Sequence, residues 1–322
     1  MRVLQLSVTE VAGMPYRLMR ALEAASVPCR MVTIQRGLFP FDILEPTWEQ
    51  LGRLASEADV VHYHGVTTFR LLQPRVLARA VVVHIHGDPD RGKGIHLEVP
   101  HVVATPDLLQ DFHRALFVPN LILPHDLPAS PTLGPGPLRV FKSPSYHMKH
   151  QVMFASLMRP IVQRLAGRVE YVAPARPMLH ADLVRLRASC HISLDHLHGY
   201  YGLESLESLA QGLIAVNGAS DETLARFRQA VGTDPPFAVA HDASSCGVLL
   251  HELTEEALCA PARFEQRRAR GPRFVREHYG PDRFVQAWLS IYRQVAASAG
   301  QPWQAGGTSA EGARAHSCCN ST

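Results

Sequence analysis

The sequence contains few cysteines, and they form no recognisable metal-binding or disulfide pattern. Six are spread over 322 residues without a C-x-x-C pair: Cys29, Cys190, Cys246, Cys259, Cys318 and Cys319. Such long spacings in a chain of this size are typical of reduced thiols in the cytoplasm and not of a small disulfide-stapled secreted protein. We therefore predict a cytoplasmic location.

Long apolar runs and a strong net charge are also missing. No segment approaches the roughly 18 apolar residues of a membrane-spanning helix, and the apolar run after Arg2 is only strand-length, so no signal peptide is expected. A net charge of +3 without a dense basic stripe argues against nucleic acid as a partner. The densest basic run, Arg263 to Arg273, is interpreted as the solvated face of a helix, with peripheral membrane contact as the alternative.

The composition that is present indicates a soluble globular protein. Apolar residues make up 46% and charged residues 19%, and 322 residues fit two domains better than one. In the first half, strands alternate with helices, which predicts βαβ units and a parallel sheet. The predicted strands are Val3 to Val8, Val27 to Ile34, Val60 to Tyr63 and Ala80 to Ile85, and the predicted helices are Tyr16 to Ala25, Trp48 to Ala58 and Thr68 to Ala78. Short apolar runs return at Val102 to Ala104 and Leu116 to Val118.

A Pro/Gly-rich segment over residues 126–138 is predicted to be a linker between domains 1–125 and 139–281. The second domain alternates like the first. Its predicted strands are Arg139 to Lys142, Val169 to Ala173, Cys190 to Leu194, Leu213 to Val216 and Phe237 to Ala240, and its predicted helices are Gln151 to Leu165 and Ala181 to Arg187. A long helix follows over Phe284 to Ala297, and residues 298–322 are polar and low in complexity, so we predict disorder there.

One stretch of the second domain suggests a ligand. From Gly199 the sequence G-Y-Y-G leads into an amphipathic helix with Glu204 and Glu207 near its start, and Gly212 and an apolar strand follow. Backbone N–H groups at a helix N-terminus attract anions, and a carboxylate in the first turns can hold hydroxyl groups. A nucleotide sugar carries both kinds of group. The alternative for each glutamate is a surface residue stabilised by the helix dipole.

Residues Gly199 to Val216 resemble the nucleotide-sugar segment of retaining GT-B glycosyltransferases of the family-4 type. The family pattern is E-G-F-G-L-P-x-L-E-A-M-A-x-G-x-P-V, and this chain has G-Y-Y-G-L-E-S-L-E-S-L-A-Q-G-L-I-A-V. The resemblance implies that Glu207 holds the ribose hydroxyls, while Gly199 stands where the family has its first glutamate. Implied donor contacts are Gly199, Tyr200, Tyr201, Gly202, Leu203, Glu204 and Glu207.

Two further segments are similar to the family's donor-binding elements. In V-F-K-S-P-S-Y-H-M-K-H, Lys149 takes the place of a lysine that contacts the donor diphosphate, and Ser143 and Ser145 are implied phosphate contacts. Pro144 stands where many members have arginine, and Lys142 is the candidate replacement for that charge. Near the N-terminus, Gly13 follows the first strand where the family has a glycine-rich loop; an ordinary turn is the alternative.

Two histidine pairs end apolar strands: His62 with His64, and His84 with His86. Alternate strand residues share a face, so each pair points one way. A metal site is one interpretation, but no third ligand with matched spacing follows either pair, and we predict no metal. The family has a histidine at a strand end near the transferred sugar, and this implies a catalytic role for His86, with His64 as the rival. Asp88, Asp90 and Arg91 are candidates for the acceptor side, and structural histidines are the alternative.

The V-P-N element at Val118 and the segment Phe274 to Tyr292 resemble structural parts of the same family, whose last helix returns to the first domain. The resemblance therefore implies an α/β protein with the GT-B fold: two Rossmann-like doubly wound domains facing a cleft, the first on the acceptor side and the second binding the donor. It implies a metal-independent retaining transferase without a cofactor, with His86, Lys149 and Glu207 as catalytic residues. The acceptor could be a glycan, lipid, peptide or small molecule. A 2-epimerase and a non-catalytic relative that binds a nucleotide sugar or a partner glycosyltransferase are the alternatives.

Overall fold

The chain forms two parallel α/β sheets, one from each half of the sequence. The computed structural model describes residues 1–8, 13–35, 46–76, 78, 80–87, 90–91, 97–142, 160–161, 163–165, 167–174 and 178–299. Ten of the fifteen residues of the predicted helix Gln151 to Leu165 lie outside these ranges, and the predicted disordered tail lies outside them apart from its first two residues.

The first sheet has six parallel strands in the order β2-β1-β3-β4-β5-β6. They are β1 (Val3–Ser7), β2 (Cys29–Thr33), β3 (Val60–His64), β4 (Val81–Ile85), β5 (His101–Val103) and β6 (Leu116–Phe117). All residues of β1 and β3 are buried, as expected for strands covered by helices on both faces. The helices are α1 (Met14–Ala24), α2 (Trp48–Glu57) and α3 (Val66–Leu72), with short 3₁₀ turns at Gln73–Arg75 and Pro106–Gln110.

The second sheet has five parallel strands in the order β11-β10-β9-β7-β8. They are β7 (Leu138–Lys142), β8 (Val169–Val172), β9 (Ile192–Leu194), β10 (Ile214–Asn217) and β11 (Ala238–Val239). The described helices of this half are α4 (His180–Ala188), α5 (Leu203–Gln211), α6 (Asp221–Val231), α7 (Ala243–Cys259) and α8 (Pro261–His278). The strand order reverses between β1 and β3 in one sheet and between β7 and β9 in the other, and ligands of open α/β sheets bind at such points. The predicted pair of doubly wound sheets is confirmed.

The last helix, α9 (Pro281–Ala297), lies on the first sheet although it follows the second in sequence. It contacts α1, β3 and β4, and its buried side chains recur at helical spacing. They are Phe284, Val285, Trp288, Leu289, Ile291, Tyr292 and Val295. The two halves of the chain therefore share one hydrophobic cluster that runs from Val3 to Val295.

The basic run Arg263 to Arg273 lies within α8, and one of its members differs from the prediction of a solvated face. Arg263 and Arg273 are exposed, whereas Arg268 is only 4% exposed. The Arg268 guanidinium donates to the carbonyl of Gly212 and to the Ser130 hydroxyl. It thus joins α8 to the end of α5 and to the segment between the sheets.

Among the described residues, no helix is both long and apolar enough to cross a bilayer. The four described cysteines are free thiols. Three of them are buried, namely Cys29, Cys190 and Cys246, and Cys259 is exposed.

Candidate functional site

The turn before α5 is anchored through the backbone of Gly199. Its carbonyl accepts hydrogen bonds from the amide of Ser220 at 3.0 Å and from the hydroxyl of Thr223 at 2.9 Å. Gly199 has a φ of +79°, a conformation in which L-residues with side chains are strained. A glutamate at this position, as in the family pattern, would therefore strain this backbone.

The two tyrosines of the turn lie in different surroundings. Tyr201 is 1% exposed and packs against Phe227 and Phe237. Its side chain belongs to the core, so the structure does not support the predicted donor contact for Tyr201. Tyr200 is half-buried and lies under the guanidinium of Arg91, which is 3.7 Å from the ring centroid. Arg91 belongs to the first domain and is held by Asp107 at 2.6 Å, so this stacking bridges the two domains.

The amides at the start of α5 are occupied by a carboxylate of the chain itself. Asp195, directly after β9 and 2% exposed, accepts from the amides of Gly202 at 2.6 Å and Ser205 at 3.2 Å and from the Ser205 hydroxyl at 2.7 Å. Burial raises the pKa of Asp195, but His196, Lys142 and these hydrogen bonds outweigh burial and hold the pKa below its usual range. The negative charge at this helix N-terminus is therefore supplied by Asp195.

Replacing Asp195 should destabilise the protein more than replacing an exposed helix cap. Asp195→Ala leaves the Gly202 amide and the Ser205 groups without their buried acceptor, and we expect a loss of about 2–3 kcal/mol in the free energy of unfolding. Asp242→Ala is the matched control because Asp242 caps α7 at the surface, where water can replace the lost acceptor and the expected loss is smaller. Urea unfolding of both variants measures the difference, and equal losses would contradict the buried cap.

Glu207 lies at the centre of a buried ion network that joins the two domains. The residue is 4% exposed. One carboxylate oxygen pairs with Arg17 of α1 and with His180 Nε2 at 3.1 Å, and the other pairs with Arg187 Nη2 at 2.6 Å. Burial raises the pKa of Glu207, but the arginines and His180 outweigh burial and hold it well below its usual range. Both carboxylate oxygens are thus engaged, and ribose hydroxyls would have to replace Arg17 or His180. Ribose binding by Glu207 stays a prediction.

A cavity of about 480 Å³ lies between the domains beside this network, within the range of ligand-binding pockets. It is lined by α1, by the segment after β6 and by α4: Tyr16, Arg17, Arg20, Ile122, Leu123, Asp126, Leu127, Pro128, His180, Ala181, Val184 and Arg185. Three of these residues are arginines, and each of them pairs with a carboxylate of the chain: Glu207, Asp126 and Asp182 respectively. Arg17 Nη1 is buried and has no hydrogen-bond partner among the described residues.

Glu204 has a different environment from Glu207. Its carboxylate accepts from the Ser193 hydroxyl at 3.1 Å. Burial raises the pKa of Glu204 to about 7, against the opposing charge of Lys142. The carboxyl group is therefore close to half-protonated at neutral pH and can give or take a proton.

His86 follows β4 at the edge of the first sheet, and its Nε2 lies 2.9 Å from His64 Nδ1. Burial lowers its pKa to about 4, so the imidazole is neutral at physiological pH. Gly13 is the N-cap of α1 with a φ of +70°. Asp90 accepts from the amide of Val66 at the start of α3. The roles predicted for His86, Gly13 and Asp90 stay predictions.

Several predicted site residues lie outside the described ranges. They are Ser143, Ser145 and Lys149, together with Pro144 and Asp88. Lys142, at the end of β7, is described and 9% exposed, with its ammonium 3.5 Å from the carbonyl of Asp195.

Four residues of the site were not predicted from the sequence: Arg17, Arg187, His180 and Asp195. A usable signal existed for the two arginines. Arg17 interrupts the buried face of α1 at helical spacing, and Arg187 does the same in α4, beside the buried Val184 and Ala188. A cation on an otherwise apolar helix face indicates a buried partner, because an unpaired buried charge is too costly to keep.

No protein-family model and no curated protein sequence matches the chain, whereas its fold matches solved structures over nearly its whole length. Sucrose-phosphate synthase from Thermosynechococcus elongatus superimposes with a TM-score of 0.59 at 12% identity, covering 92% of this chain and 100% of that one. Anabaena HepE in complex with UDP and glucose superimposes with a TM-score of 0.59 at 11% identity, and the match covers 91% of this chain and 99% of that one. A putative UDP-N-acetylglucosamine 2-epimerase from Listeria monocytogenes superimposes with a TM-score of 0.55 at 12% identity, and the match covers 94% of this chain and 99% of that one. At such identities the likeness concerns architecture, and the chain has the GT-B fold.

Proposed function

We propose that the chain is a glycosyltransferase that moves a sugar from a nucleotide-diphosphate sugar to an acceptor hydroxyl. The observation that carries the proposal is the interdomain cavity beside Glu207, with Arg17, Arg20 and Arg185 in its lining. Guanidinium groups match phosphate oxygens in charge and geometry. The GT-B fold adds support, because a structural neighbour of similar length was solved with UDP and glucose bound.

In the proposed reaction the configuration at the anomeric carbon is retained and no metal ion is needed at the diphosphate. The acceptor oxygen bonds to the anomeric carbon from the face that the diphosphate leaves, the bond from that carbon to the phosphate oxygen breaks, and the acceptor proton passes to the departing phosphate. Lys149 and the cavity arginines would stabilise the charge that develops on the leaving group. Glu207 would hold the ribose in exchange for Arg17, and the neutral His86 would orient the sugar or the acceptor. We place the reaction in the cytoplasm.

Nucleoside diphosphates should therefore stabilise the protein through the cavity. We expect one of UDP, GDP, ADP and dTDP to raise the melting temperature, since a ligand at 100 times its Kd adds about 2.7 kcal/mol. Arg185→Ala should lower the affinity for that nucleotide about tenfold, which is the effect of losing one charged hydrogen bond. The Arg185 side chain is 70% exposed, so its loss spares the fold.

The matched control is Arg226→Ala, because Arg226 forms an exposed i, i+4 pair with Glu222 and does not line the cavity. Equal weakening by both variants, or binding of none of the four nucleotides, would rule out the cavity as the donor site. Incubation with a panel of nucleotide sugars and acceptors then tests turnover by nucleotide release. Turnover that survives Lys149→Ala would refute the role proposed for that lysine.

Two observations favour a second candidate, a relative that binds a nucleotide sugar or a partner glycosyltransferase without turnover. Gly199 replaces a carboxylate, and Arg17 already occupies Glu207. Calorimetry that detects nucleotide binding, combined with no transfer to any acceptor, would support this candidate. The Listeria neighbour adds the epimerase alternative; conversion of the donor sugar without an acceptor would identify it.

A further inference from the structure

Four histidines form one cluster beneath α9, in which His62, His64 and His84 are buried and His86 is half-buried. His64 on β3 lies directly beside His84 on β4, and His62 and His86 extend the two pairs along the same face. Ring centroids are 4.2 Å apart for His62 and His64 and 3.9 Å apart for His84 and His86. The Trp288 ring of α9 covers His62 at 4.5 Å. The two pairs are separate in the sequence but make one cluster in the fold. Each pair therefore has a third candidate metal ligand in the other pair.

Two of these histidines have one ring nitrogen fixed by an oxygen. His64 Nε2 lies 2.8 Å from the Gln5 side-chain carbonyl, whose amide nitrogen donates to Cys29 Sγ. A carbonyl only accepts, so His64 carries its proton on Nε2 and has a lone pair on Nδ1. His62 Nδ1 lies 2.8 Å from the Tyr292 hydroxyl. When His62 donates to that oxygen, its lone pair is on Nε2.

The remaining nitrogens of the cluster lack partners. His62 Nε2 and both ring nitrogens of His84 are buried without a hydrogen bond to any described residue, and both side chains are 0% exposed. Buried polar atoms in folded proteins are nearly always satisfied, and those that are not often mark a water or an ion. Burial also lowers the pKa of His62, His64 and His84 well below the usual range, so the rings are neutral at physiological pH.

We propose that His62, His64 and His84 bind a divalent transition-metal ion of the zinc type, through His62 Nε2, His64 Nδ1 and a ring nitrogen of His84. One ring nitrogen of each residue lies within 4.8 Å of the others. Zinc–nitrogen bonds of about 2.0–2.1 Å place tetrahedral ligands about 3.3 Å apart, so the rings turn inward on binding. Imidazole suits zinc, copper and nickel. Histidine ligands usually donate their other N–H to an oxygen, which Gln5 and Tyr292 provide.

Two of the three ligands lie away from the proposed transfer chemistry, and the third, His64, contacts His86 through Nδ1. His62 and His84 are fully buried under α9 and cannot touch a donor. His86, which is half-buried, hydrogen-bonds to His64 Nδ1 and gives way when the ion binds there. The ion would bridge β3 and β4, and through Tyr292 it would fasten α9 to the first sheet.

The test measures metal content and affinity on the full chain. Protein stripped with EDTA and dialysed against zinc should retain one ion per chain by elemental mass spectrometry, and cobalt should give the visible absorption of a tetrahedral nitrogen-ligated ion. His84→Leu removes one ligand and its unpartnered nitrogens, so the variant should fold and lose the metal. Tyr292→Phe keeps the ring but removes the oxygen beside His62, and zinc affinity should fall about 10-fold or more.

His101→Leu is the control, because His101 is buried in the neighbouring strand β5 but lies beside Val83, on the other face of the sheet. It should leave the zinc content unchanged. Wild-type protein that is folded but retains no zinc, or equal zinc in wild type and His84→Leu, would overturn the proposal. Neither measurement uses a donor or an acceptor, so failure of the proposed transferase activity leaves this test intact.

Discussion

Acidification from pH 7 to pH 5 should strongly destabilise the metal-free protein, and the histidine cluster is the reason. Burial lowers the pKa of His62, His64 and His84 well below the usual range, whereas the unfolded chain protonates them near pH 6.5. Their contribution to stability is complete above the unfolded pKa and is lost as the pH falls below it. A ring that is still neutral in the folded protein at pH 5 makes the free energy of unfolding about 2 kcal/mol lower at pH 5 than at pH 7. Three such rings together lower it by about 6 kcal/mol.

Other groups that face the cluster do not obscure this window. Burial raises the pKa of Cys29 to about 12 and that of Tyr292 well above its usual range, so neither titrates between pH 5 and 7. His86, with a pKa of about 4, adds to the effect in the same direction. Away from the cluster, the carboxylates of Asp195 and Glu207 have lowered pKa values and titrate at lower pH. Glu204, whose pKa burial raises to about 7, takes up a proton within this window and offsets part of the loss.

Urea unfolding in EDTA at pH 7, 6 and 5 measures the effect, and His84→Leu should lose about 2 kcal/mol of the pH dependence. Val83→Ala, in the same strand, is the control, because a cavity lowers stability equally at every pH. A His84→Leu slope identical to that of wild type would mean that His84 is not held neutral.

Much of the fold could be predicted because short buried strands carry their signal locally. The apolar runs at Val3, Val60, Ile192 and Ile214 each lie within a predicted strand. Two helices were not predicted, α6 (Asp221–Val231) and α7 (Ala243–Cys259). The latter begins A-S-S-C-G, which has low helix propensity. Its start depends on the capping box of Asp242 and Ser245, which is a local pattern that the sequence does contain.

The site was harder to predict because its contacts join distant parts of the chain. The pattern around Glu207 is local, but its partner Arg17 is 190 residues away. The contact between the two histidine pairs could be predicted from the sequence, because consecutive strands of a parallel sheet usually lie side by side. That rule places His64 next to His84 without any structure. The role of Asp195 could not be predicted in this way, because nothing in its local sequence indicates that it caps a helix seven residues later.

Removing the Glu207 carboxylate should destabilise the protein by about 3–5 kcal/mol, because it leaves buried cations without a counter-ion. Arg187 and Arg17 have side chains 1% and 9% exposed, and both pair with Glu207. Glu222→Ala is the control: it breaks a surface pair whose Glu222 side chain is 53% exposed, worth about 0–1 kcal/mol. Equal losses in the two variants, measured by urea unfolding, would mean that the buried network adds little.

A second variant separates the lost charge from the lost interaction. In Glu207→Leu with Arg187→Met, one buried charge and one of its two arginine partners disappear together, so the double variant should be more stable than Glu207→Ala alone. The comparison also decides how activity is interpreted. Glu207 is proposed to hold the ribose, yet its network joins α1 of the first domain to α4 and α5 of the second. Loss of turnover in Glu207→Ala therefore bears on ribose binding only where the variant is folded, and Glu207→Gln, which keeps the size of the side chain, is the variant in which nucleotide affinity should be measured.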